Sequence, residues 1–353
     1  MRCSFRFLLL SGLCVGAGSA AIAAPSATTS IFATAPAGSS GPDSVTVGGG
    51  SVWVAYDGGS LSSDGSQPAG FSTVARYSLT GTLQNTYQVG GDVDGLKYNP
   101  FTGLVWALQN QDANSRVTLI NPATNALTPL SYAVTSPTQG VDDLAFTKNG
   151  TYLSFTNPGA STEVTLQKIV DGTNPIQVTN LLTAGTTGTN IVTGKAGYVP
   201  SMANTDSLKV APNGDLVQTT GSRDTLAFVH DAGLTTQSLN YLPLNAGGAA
   251  VSGLDDSLYL TSASGRIYAS VSNTDQVLAI DYTGVTPGTL IGSIGSLKEI
   301  GFINPTTGAI TPFVTNLPGI HGLDLGVTPV PEPASLALLG GGLATLIGLR
   351  RRR

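Results

Sequence analysis

Short runs of apolar or alternating residues fill the chain between about residues 30 and 327, and Gly, Asn-Pro and Asn-Gly turns separate them. Nowhere in this stretch do apolar residues keep up the three- and four-residue spacing of an amphipathic helix. Strand-length runs bounded by turn residues are typical of all-β proteins. The pattern therefore predicts an all-β body.

A short motif recurs along this body: an Asp, then a small or acidic residue, then an aliphatic residue. Successive copies begin 51, 48, 64, 50 and 65 residues apart, and a Gly turn and a second strand follow most of them. Four short antiparallel strands in a unit of this size are typical of a β-propeller blade. The copies begin at Asp43, Asp94, Asp142, Asp206 and Asp256, and in a sixth, at His321, histidine replaces aspartate.

Later strands repeat too, since the segment from Leu119 to Pro129 parallels the one from Phe302 to Pro312. In this order of strand, turn and apolar strand, the body resembles the YVTN, NHL and SMP-30-like propeller families. The resemblance implies one propeller of six or seven four-stranded blades over residues 24–328. The two long spacings could be blades with inserted loops, or one of them could contain an extra blade. Lone strands at Ser30 to Thr34 and Leu323 to Val327 predict a ring closed by pairing its two ends.

The N-terminal 23 residues predict a helical secretory signal peptide. Arg2 and Arg6 precede an apolar run, and Ala21-Ile22-Ala23 offers a cleavage site for signal peptidase. The only cysteines of the chain, Cys3 and Cys14, lie inside this segment. After cleavage, no cysteine remains for a disulfide, a thiolate metal site or a nucleophile.

The C-terminal residues 329–353 form a second addressing segment, in which an apolar run and four arginines follow Val330, Pro331, Glu332 and Pro333. This order resembles the PEP-CTERM sorting tail of exopolysaccharide-producing Gram-negative bacteria. The resemblance implies recognition of the Pro-Glu-Pro motif by an inner-membrane exosortase. The apolar run, Ala334 to Leu349, would extend about 24 Å as a helix, short of the roughly 30 Å of hydrocarbon. We therefore expect transient anchoring in the inner membrane, followed by transfer to the cell surface or extracellular matrix.

The charge of the mature body excludes some partners. The two ends hold six of the 16 Lys and Arg but one of the 21 Asp and Glu, which leaves ten against 20 and a net charge near −10. The basic residues are scattered singly, so nothing resembles the basic stripe that binds nucleic acid.

The repeated motif residues are the candidate site, because equivalent positions of successive blades form a ring. If the motif begins the innermost strand, these carboxylates circle one channel mouth and could hold a hard cation such as Ca²⁺. The alternative, which we favour, is that each Asp accepts a backbone N–H at the turn into its strand. The ring would consist of Asp43, Asp94, Asp142, Asp206, Asp256 and His321.

Two functional hypotheses remain. The preferred one is a non-catalytic surface or matrix propeller that binds exopolysaccharide or a surface protein. The alternative is a metal-dependent hydrolase of lactonase type with its site at the channel mouth. The lactonase-like families place acidic side chains and a base in the cleft, whereas here Glu163 and Glu299, the only glutamates of the mature body, lie outside the repeated motif.

Overall fold

The computed structural model describes residues 24–57, 70–110, 112, 114–133, 140–155, 160–170, 172–200, 205–220 and 225–326. Six sheets stand around a ring, so the predicted all-β propeller is confirmed, with six blades. The predicted signal helix and C-terminal hydrophobic helix lie outside the described residues. Within those ranges, no helix has both the length and the apolar character needed to cross a membrane.

The first three blades follow the chain in order, each from its innermost to its outermost strand. A separate strand, β1 (Ser26–Thr34), precedes them. Blade 1 contains β2 (Pro42–Gly48), β3 (Ser51–Tyr56), β4 (Phe71–Ser78) and β5 (Leu83–Gly90). Blade 2 contains β6 (Val93–Tyr98), β7 (Val105–Gln109), β8 (Arg116–Ile120) and β9 (Leu127–Ser131). Blade 3 contains β10 (Val141–Thr147), β11 (Gly150–Phe155), β12 (Val164–Val170) and β13 (Gln177–Thr183).

Blade 4 has a fifth strand, which explains the first long spacing in the sequence. After blade 3 the chain forms β14, which pairs in parallel with β18, the outermost of the four regular strands, before it enters the ring. An inserted segment, and not an extra blade, therefore fills this spacing. The strands are β14 (Thr189–Asn190), β15 (Leu208–Val210), β16 (Leu216–Thr220), β17 (Thr225–His230) and β18 (Ser238–Pro243), and a small hairpin of β19 (Asn245–Ala246) and β20 (Ala249–Ala250) follows.

The last two blades exchange a hairpin, which explains the second long spacing. After the innermost strand of blade 5, β21, the chain forms β22 and β23 in the middle of blade 6 and then returns to complete blade 5. Blade 5 contains β21 (Leu254–Leu260), β24 (Thr289–Ile294), β25 (Glu299–Ile303) and β26 (Ile310–Thr315). Blade 6 contains β27 (Ile320–Leu325), β22 (Ser264–Val271), β23 (Gln276–Thr283) and β1. Two 3₁₀ turns, Ser272–Thr274 and Gly295–Leu297, follow β22 and β24.

Closure of the ring differs from the sequence-based expectation in one respect. The two terminal strands do meet in one blade, but they do not pair with each other. β27 pairs with β22 on the inside and β1 pairs with β23 on the outside. The exchanged hairpin separates them, so three distant segments of the chain build blade 6.

The core lies between blades. Six apolar clusters occur in the described part of the chain, one at each junction between neighbouring blades, including the junction of blade 6 with blade 1. The second strand of a blade is covered on both faces, which is why β3 is buried at every residue. Trp53 and Tyr56 of β3 are fully buried at different junctions. Continuous apolar runs at second strands therefore follow from burial between two blades.

The ring has two distinct faces. All six innermost strands run in the same direction through the channel, because residues at or just before their starts line one cavity and residues near their ends line another. We call the face at which the innermost strands begin the upper face, and the face at which they end the lower face. The innermost strands are β2, β6, β10, β15, β21 and β27.

Candidate functional site

A β-bulge at the start of the innermost strands explains the repeated motif. In blade 1, Pro42 pairs with Tyr56 and Val45 pairs with Val54, so two residues of β2 face one residue of β3. The same irregularity occurs at the start of β6, β10, β21 and β27. A bulge of this kind re-aims side chains. The first bulge residue faces the channel, and the second, which also borders the cavity, contacts the neighbouring blade.

The bulge register differs from the sequence-based alignment at the fifth copy. In blade 5, Leu254 pairs with Ile294 and Ser257 with Gly292, so the bulge residues are Asp255 and Asp256. Asp255 is thus the equivalent of the other ring residues, and Asp256 is the second bulge residue. The first bulge positions of five blades, together with the residue two positions before β15 in blade 4, all line one upper cavity. They are Asp43, Asp94, Asp142, Asp206, Asp255 and His321.

The second bulge positions connect each blade to the next. The Asp143 carboxylate of blade 3 accepts the Leu208 N–H of blade 4 at 2.9 Å. The Asp256 carboxylate of blade 5 accepts the Leu323 N–H of blade 6 at 2.7 Å. Backbone N–H groups are therefore accepted at the second bulge position. In blade 3 this is Asp143, one residue beyond the expected Asp142, and in blade 5 it is Asp256, the residue that the motif indicated.

Glycine occupies the second position where the next blade comes too close for a side chain. A Cβ at Gly95 of blade 2 would lie 2.2 Å from the Asp142 carbonyl oxygen, and one at Gly322 of blade 6 would lie 2.9 Å from the Asp43 carbonyl oxygen. Neither contact is tolerable without movement of backbone. The small residue in the motif is thus a packing requirement of neighbouring innermost strands.

The upper cavity has a volume of about 460 Å³ and is strongly acidic. Besides the ring residues, Asp57, Asp92 and Asp112 line it, and all three lie outside the repeated motif. Asp57 directly follows β3, and Asp112 lies shortly after β7. Second strands run back to the upper face, so an Asp just after a second strand is placed near the cavity. This position could have identified Asp57 and Asp112 from the sequence. Motif repetition alone could not identify them.

Three ring carboxyls form a row across blades 1, 2 and 3. Asp94 stands in the middle and hydrogen-bonds to both Asp43 and Asp142. Burial raises the pKa of all three carboxyls, and the charge of Asp94 raises the pKa of Asp43 and Asp142 further. Two carboxylates this close cannot both ionise at low cost. The three carboxyls of the row therefore release their protons at a higher pH than isolated aspartates do.

A second carboxyl pair lies on the rim of the cavity. Burial raises the pKa of Asp57 to about 6. Burial, followed by the charge of Asp57, raises the pKa of Asp92 to about 8. The two side chains are hydrogen-bonded to each other. The acidity of the cavity thus extends beyond the ring.

His321 is the one imidazole of the cavity and pairs with two carboxylates. Its Nδ1 lies 3.2 Å from both Asp43 Oδ1 and Asp255 Oδ1. Burial acts to lower the pKa of His321, but the hydrogen bond and charge of Asp255, with the charge of Asp94, outweigh it. The pKa therefore stands above its ordinary value, which favours the imidazolium form.

Two lysines close the lower end of this cavity. Lys97 Nζ lies 3.1 Å from Asp143 Oδ2, and Lys209 Nζ lies 2.8 Å from Asp256 Oδ2. Lys209 also donates to the Leu323 carbonyl at 2.9 Å. Burial acts to lower the pKa of Lys209, but the charges of Asp256 and Asp143 outweigh it and the pKa is raised. Below these lysines, a second cavity of about 290 Å³ opens on the lower face and has a mainly apolar lining.

The donor chemistry of the upper cavity fits a hard cation, but its geometry does not. Carboxylate oxygens are the ligands that Ca²⁺ prefers. Across the described ranges, however, no group of three or more His, Cys, Asp or Glu side chains has an arrangement that could hold a metal ion. The acidic lining is therefore better suited to positive groups larger than a metal ion.

Calcium removal tests this distinction. We expect the melting temperature of the mature protein to agree within about 1 °C between 1 mM calcium and excess chelator, because a ligand stabilises by RT ln(1 + [L]/Kd) only if it binds the folded state. The double variant Asp94→Asn/Asp206→Asn serves as the control. A chelator-sensitive melting temperature in the unmutated protein, lost in this variant, would contradict our interpretation and restore the calcium hypothesis.

The fold and cavity define a six-bladed propeller with an acidic channel mouth, and sequence comparison adds the tail. Residues 329–353 match a family model described as the PEP-CTERM protein-sorting motif, so the predicted sorting tail is confirmed. This motif implies processing by an exosortase and a membrane-anchored C-terminal sorting signal. No curated protein matches the chain in sequence.

Solved structures of similar shape include two enzymes. Virginiamycin B lyase from Staphylococcus aureus is 10% identical, with a TM-score of 0.48 over 85% of this chain and 92% of that one. Periplasmic gluconolactonase from Pseudomonas aeruginosa is 11% identical, with a TM-score of 0.48 over 82% of this chain and 89% of that one. A propeller fold accommodates many unrelated activities, so this likeness shows the fold and not the function.

Proposed function

We propose that the mature protein is an exported, exosortase-sorted propeller of the cell surface or extracellular matrix, and that it binds a positively charged partner at its upper cavity without catalysing a reaction. The sorting tail supports the destination. One observation carries the binding role: the neighbouring carboxyls of Asp94, Asp43 and Asp142 line one cavity, where burial raises the pKa of each.

The row of carboxyls supports binding of a cation for an electrostatic reason. Repulsion among neighbouring carboxylates raises the free energy of the protein. A positive group placed among them replaces this repulsion by attraction. The cavity volume of about 460 Å³ is large enough for an ammonium or guanidinium group with its carrier. The partner class is therefore a matrix polysaccharide with free amino groups, or a basic segment of a surface protein.

A pair of oligosaccharides tests this function directly. We expect an oligomer of glucosamine to bind the mature protein, and the matching N-acetylglucosamine oligomer, which lacks the charge, to bind at least about tenfold more weakly, a difference of about 1.4 kcal/mol. Oligolysine provides the protein-like arm. Titration calorimetry at low and high salt measures both affinities, and binding should weaken with salt.

Matched variants locate the site of binding. Asp94→Asn/Asp142→Asn should weaken binding of the charged oligomers, whereas Asp281→Asn should not, because Asp281 pairs with Arg266 outside the cavity. Equal affinity for charged and acetylated oligomers, or equal loss in both variants, would reject the acidic cavity as the binding site.

The sorting role predicts a specific trafficking defect. We expect Glu332→Ala to leave transport across the inner membrane intact but to block exosortase processing, so that the protein accumulates in the membrane. Export depends on the N-terminal segment, while the tail supplies the motif that the enzyme recognises. Cell fractionation with immunoblotting measures the distribution, and Glu163→Ala is the control. Wild-type amounts of Glu332→Ala at the surface would contradict the proposed sorting.

A second candidate function, a hydrolase of lactonase type, draws on His321 alone. Its imidazole contacts Asp43 and Asp255 in the cavity, and a histidine–carboxylate pair can transfer protons. Among the described side chains, no group is arranged to hold the metal that such a hydrolase would use. Hydrolysis of simple lactones by the mature protein, abolished in His321→Gln, would favour this function over binding alone.

A further inference from the structure

Both described ends of the chain lie on the lower face of the propeller. β1 begins there, since Ser26 pairs with Thr283, the last residue of β23. β27 ends there at Leu325, and it is an innermost strand of the ring. The sorting tail therefore continues from a point near the channel axis of the lower face.

The sequence between the propeller and the predicted membrane segment is short and rich in proline. Seven residues, Val327 to Pro333, separate Gly326 from the apolar run, and three of them are proline. Proline-rich segments extend by about 3.1 Å per residue, so the connection reaches roughly 22 Å. A domain of about 300 residues has a radius of gyration of roughly 19 Å. A tether that leaves the centre of one face is then too short to pass the rim and turn the opposite face to the membrane.

The two faces differ in their surface chemistry. The upper face carries the acidic cavity. Of the eleven large hydrophobic residues that are exposed in the described part of the chain, six lie at turns or strand ends of the lower face, and only Phe71 and Leu297 lie on the upper face. The six are Leu83, Phe101, Leu127, Val170, Val210 and Leu234.

This distribution matches the two environments on either side of an anchored propeller. Anionic phospholipid headgroups repel a carboxylate-rich face, whereas apolar side chains at turns can enter the interfacial region of a bilayer. The lower cavity adds to this apolar character, with Val47, Tyr98 and Phe146 in its lining. The lower face also carries Arg266, the partner of Asp281.

We propose that, while the tail is in the membrane, the propeller lies with its lower face on the phospholipid bilayer and its acidic cavity directed away from it. This inference rests on the tail-anchored state in the proposed function, and it adds the surface that contacts lipid. The orientation leaves the upper cavity accessible to matrix partners before the tail is processed.

Two phenylalanines provide a matched pair of probe positions. Phe101, on the lower face, is 63% exposed, and Phe71, on the upper face, is 61% exposed. Each is replaced by cysteine in a full-length chain with Cys3→Ser and Cys14→Ser, labelled with an environment-sensitive fluorophore and reconstituted in phosphatidylethanolamine/phosphatidylglycerol vesicles. Quenching by a spin-labelled lipid is compared with quenching by iodide in water.

We expect the lipid quencher to reduce the fluorescence of the Phe101→Cys label at least twice as much as that of the Phe71→Cys label, with the opposite order for iodide. Equal quenching at both positions in protein that floats with the vesicles would overturn the orientation and leave the sorting function intact. Protein that fails to float with the vesicles would contradict the anchored state itself, and the proposed orientation with it. Both variants must show the circular dichroism of the unmutated chain.

Discussion

Replacing Asp256 by Asn is expected to lower the free energy of unfolding by about 3–5 kcal/mol, as is usual when one partner of a buried ion pair is removed. Asp256 is 5% exposed and lies 2.8 Å from Lys209 Nζ. It also accepts the Leu323 N–H and the Ser207 hydroxyl. In the variant, the buried ammonium of Lys209 lacks the Asp256 carboxylate, its nearest negative charge. This loss falls at the contact between blades 4, 5 and 6.

Asp255→Asn is the matched control for this prediction, because it changes the adjacent residue in the same way. The Asp255 side chain is 33% exposed and faces the cavity, where it contacts His321. Removal of such a partly solvated pair costs roughly 0–1 kcal/mol. Urea unfolding at pH 7, with unchanged slopes, gives both values. Equal losses in the two variants would refute the division of the bulge into a channel position and an interblade position.

The second large effect concerns pH: we expect the propeller to lose stability steadily as pH rises from about 4 to about 8. Aspartates in the unfolded chain titrate near pH 3.9. In the folded protein, burial raises the pKa of Asp57 to about 6 and that of Asp92 to about 8, and the pKa values of Asp43, Asp94 and Asp142 are also raised.

The sign follows from proton linkage. Between the unfolded and folded pKa values the folded state binds more protons, so the free energy of unfolding falls as pH rises. His321 acts in the same direction, because its pKa is raised in the folded state and its contribution is lost as pH rises through that value. Most proteins with ion-paired carboxylates lose stability on acidification, and this one should gain it down to about pH 4.

Thermal unfolding across this range measures the effect. We expect a fall of at least about 5 °C between pH 5 and pH 8, since roughly 2–4 °C corresponds to 1 kcal/mol in a domain of 150–250 residues. Asp94→Asn should flatten this slope, because it removes the central carboxyl of the row. Asp281→Asn, on the other face of the molecule, should keep it. A melting temperature that rises from pH 5 to pH 8 would contradict the raised pKa values of the row.

The sequence predicted the kind of fold because each blade repeats the same local requirements. Each requirement leaves a local pattern in the sequence. The patterns are a bulge residue, a small residue such as Gly95 or Gly322 where neighbouring strands approach closely, and an apolar second strand. No comparable pattern in the sequence shows which strands pair with each other. Residues 265–268 look like every other second strand, yet β22 pairs with β27 and not with β21.

The candidate site was predictable in part for the same reason. Asp-Asp-Ser in blade 5 fits the motif in two registers, and only the pairing of Leu254 with Ile294 and of Ser257 with Gly292 selects Asp255. Asp57 and Asp92 could not be found by repetition, because loops on the upper face bring them to the cavity in one blade each. The shifted pKa values arise from distances between blades, which a single strand does not encode.

The strand order of blade 6 has a mechanical consequence. A pull on the sorting tail enters the ring at β27 and acts along that strand, so its hydrogen bonds to β22 carry the load together in shear. β22 is joined to β23, and β1 holds β23 from the outside over eight paired positions. Traction at the C-terminus is thus shared among three separate lengths of chain, and the blade resists peeling from its end.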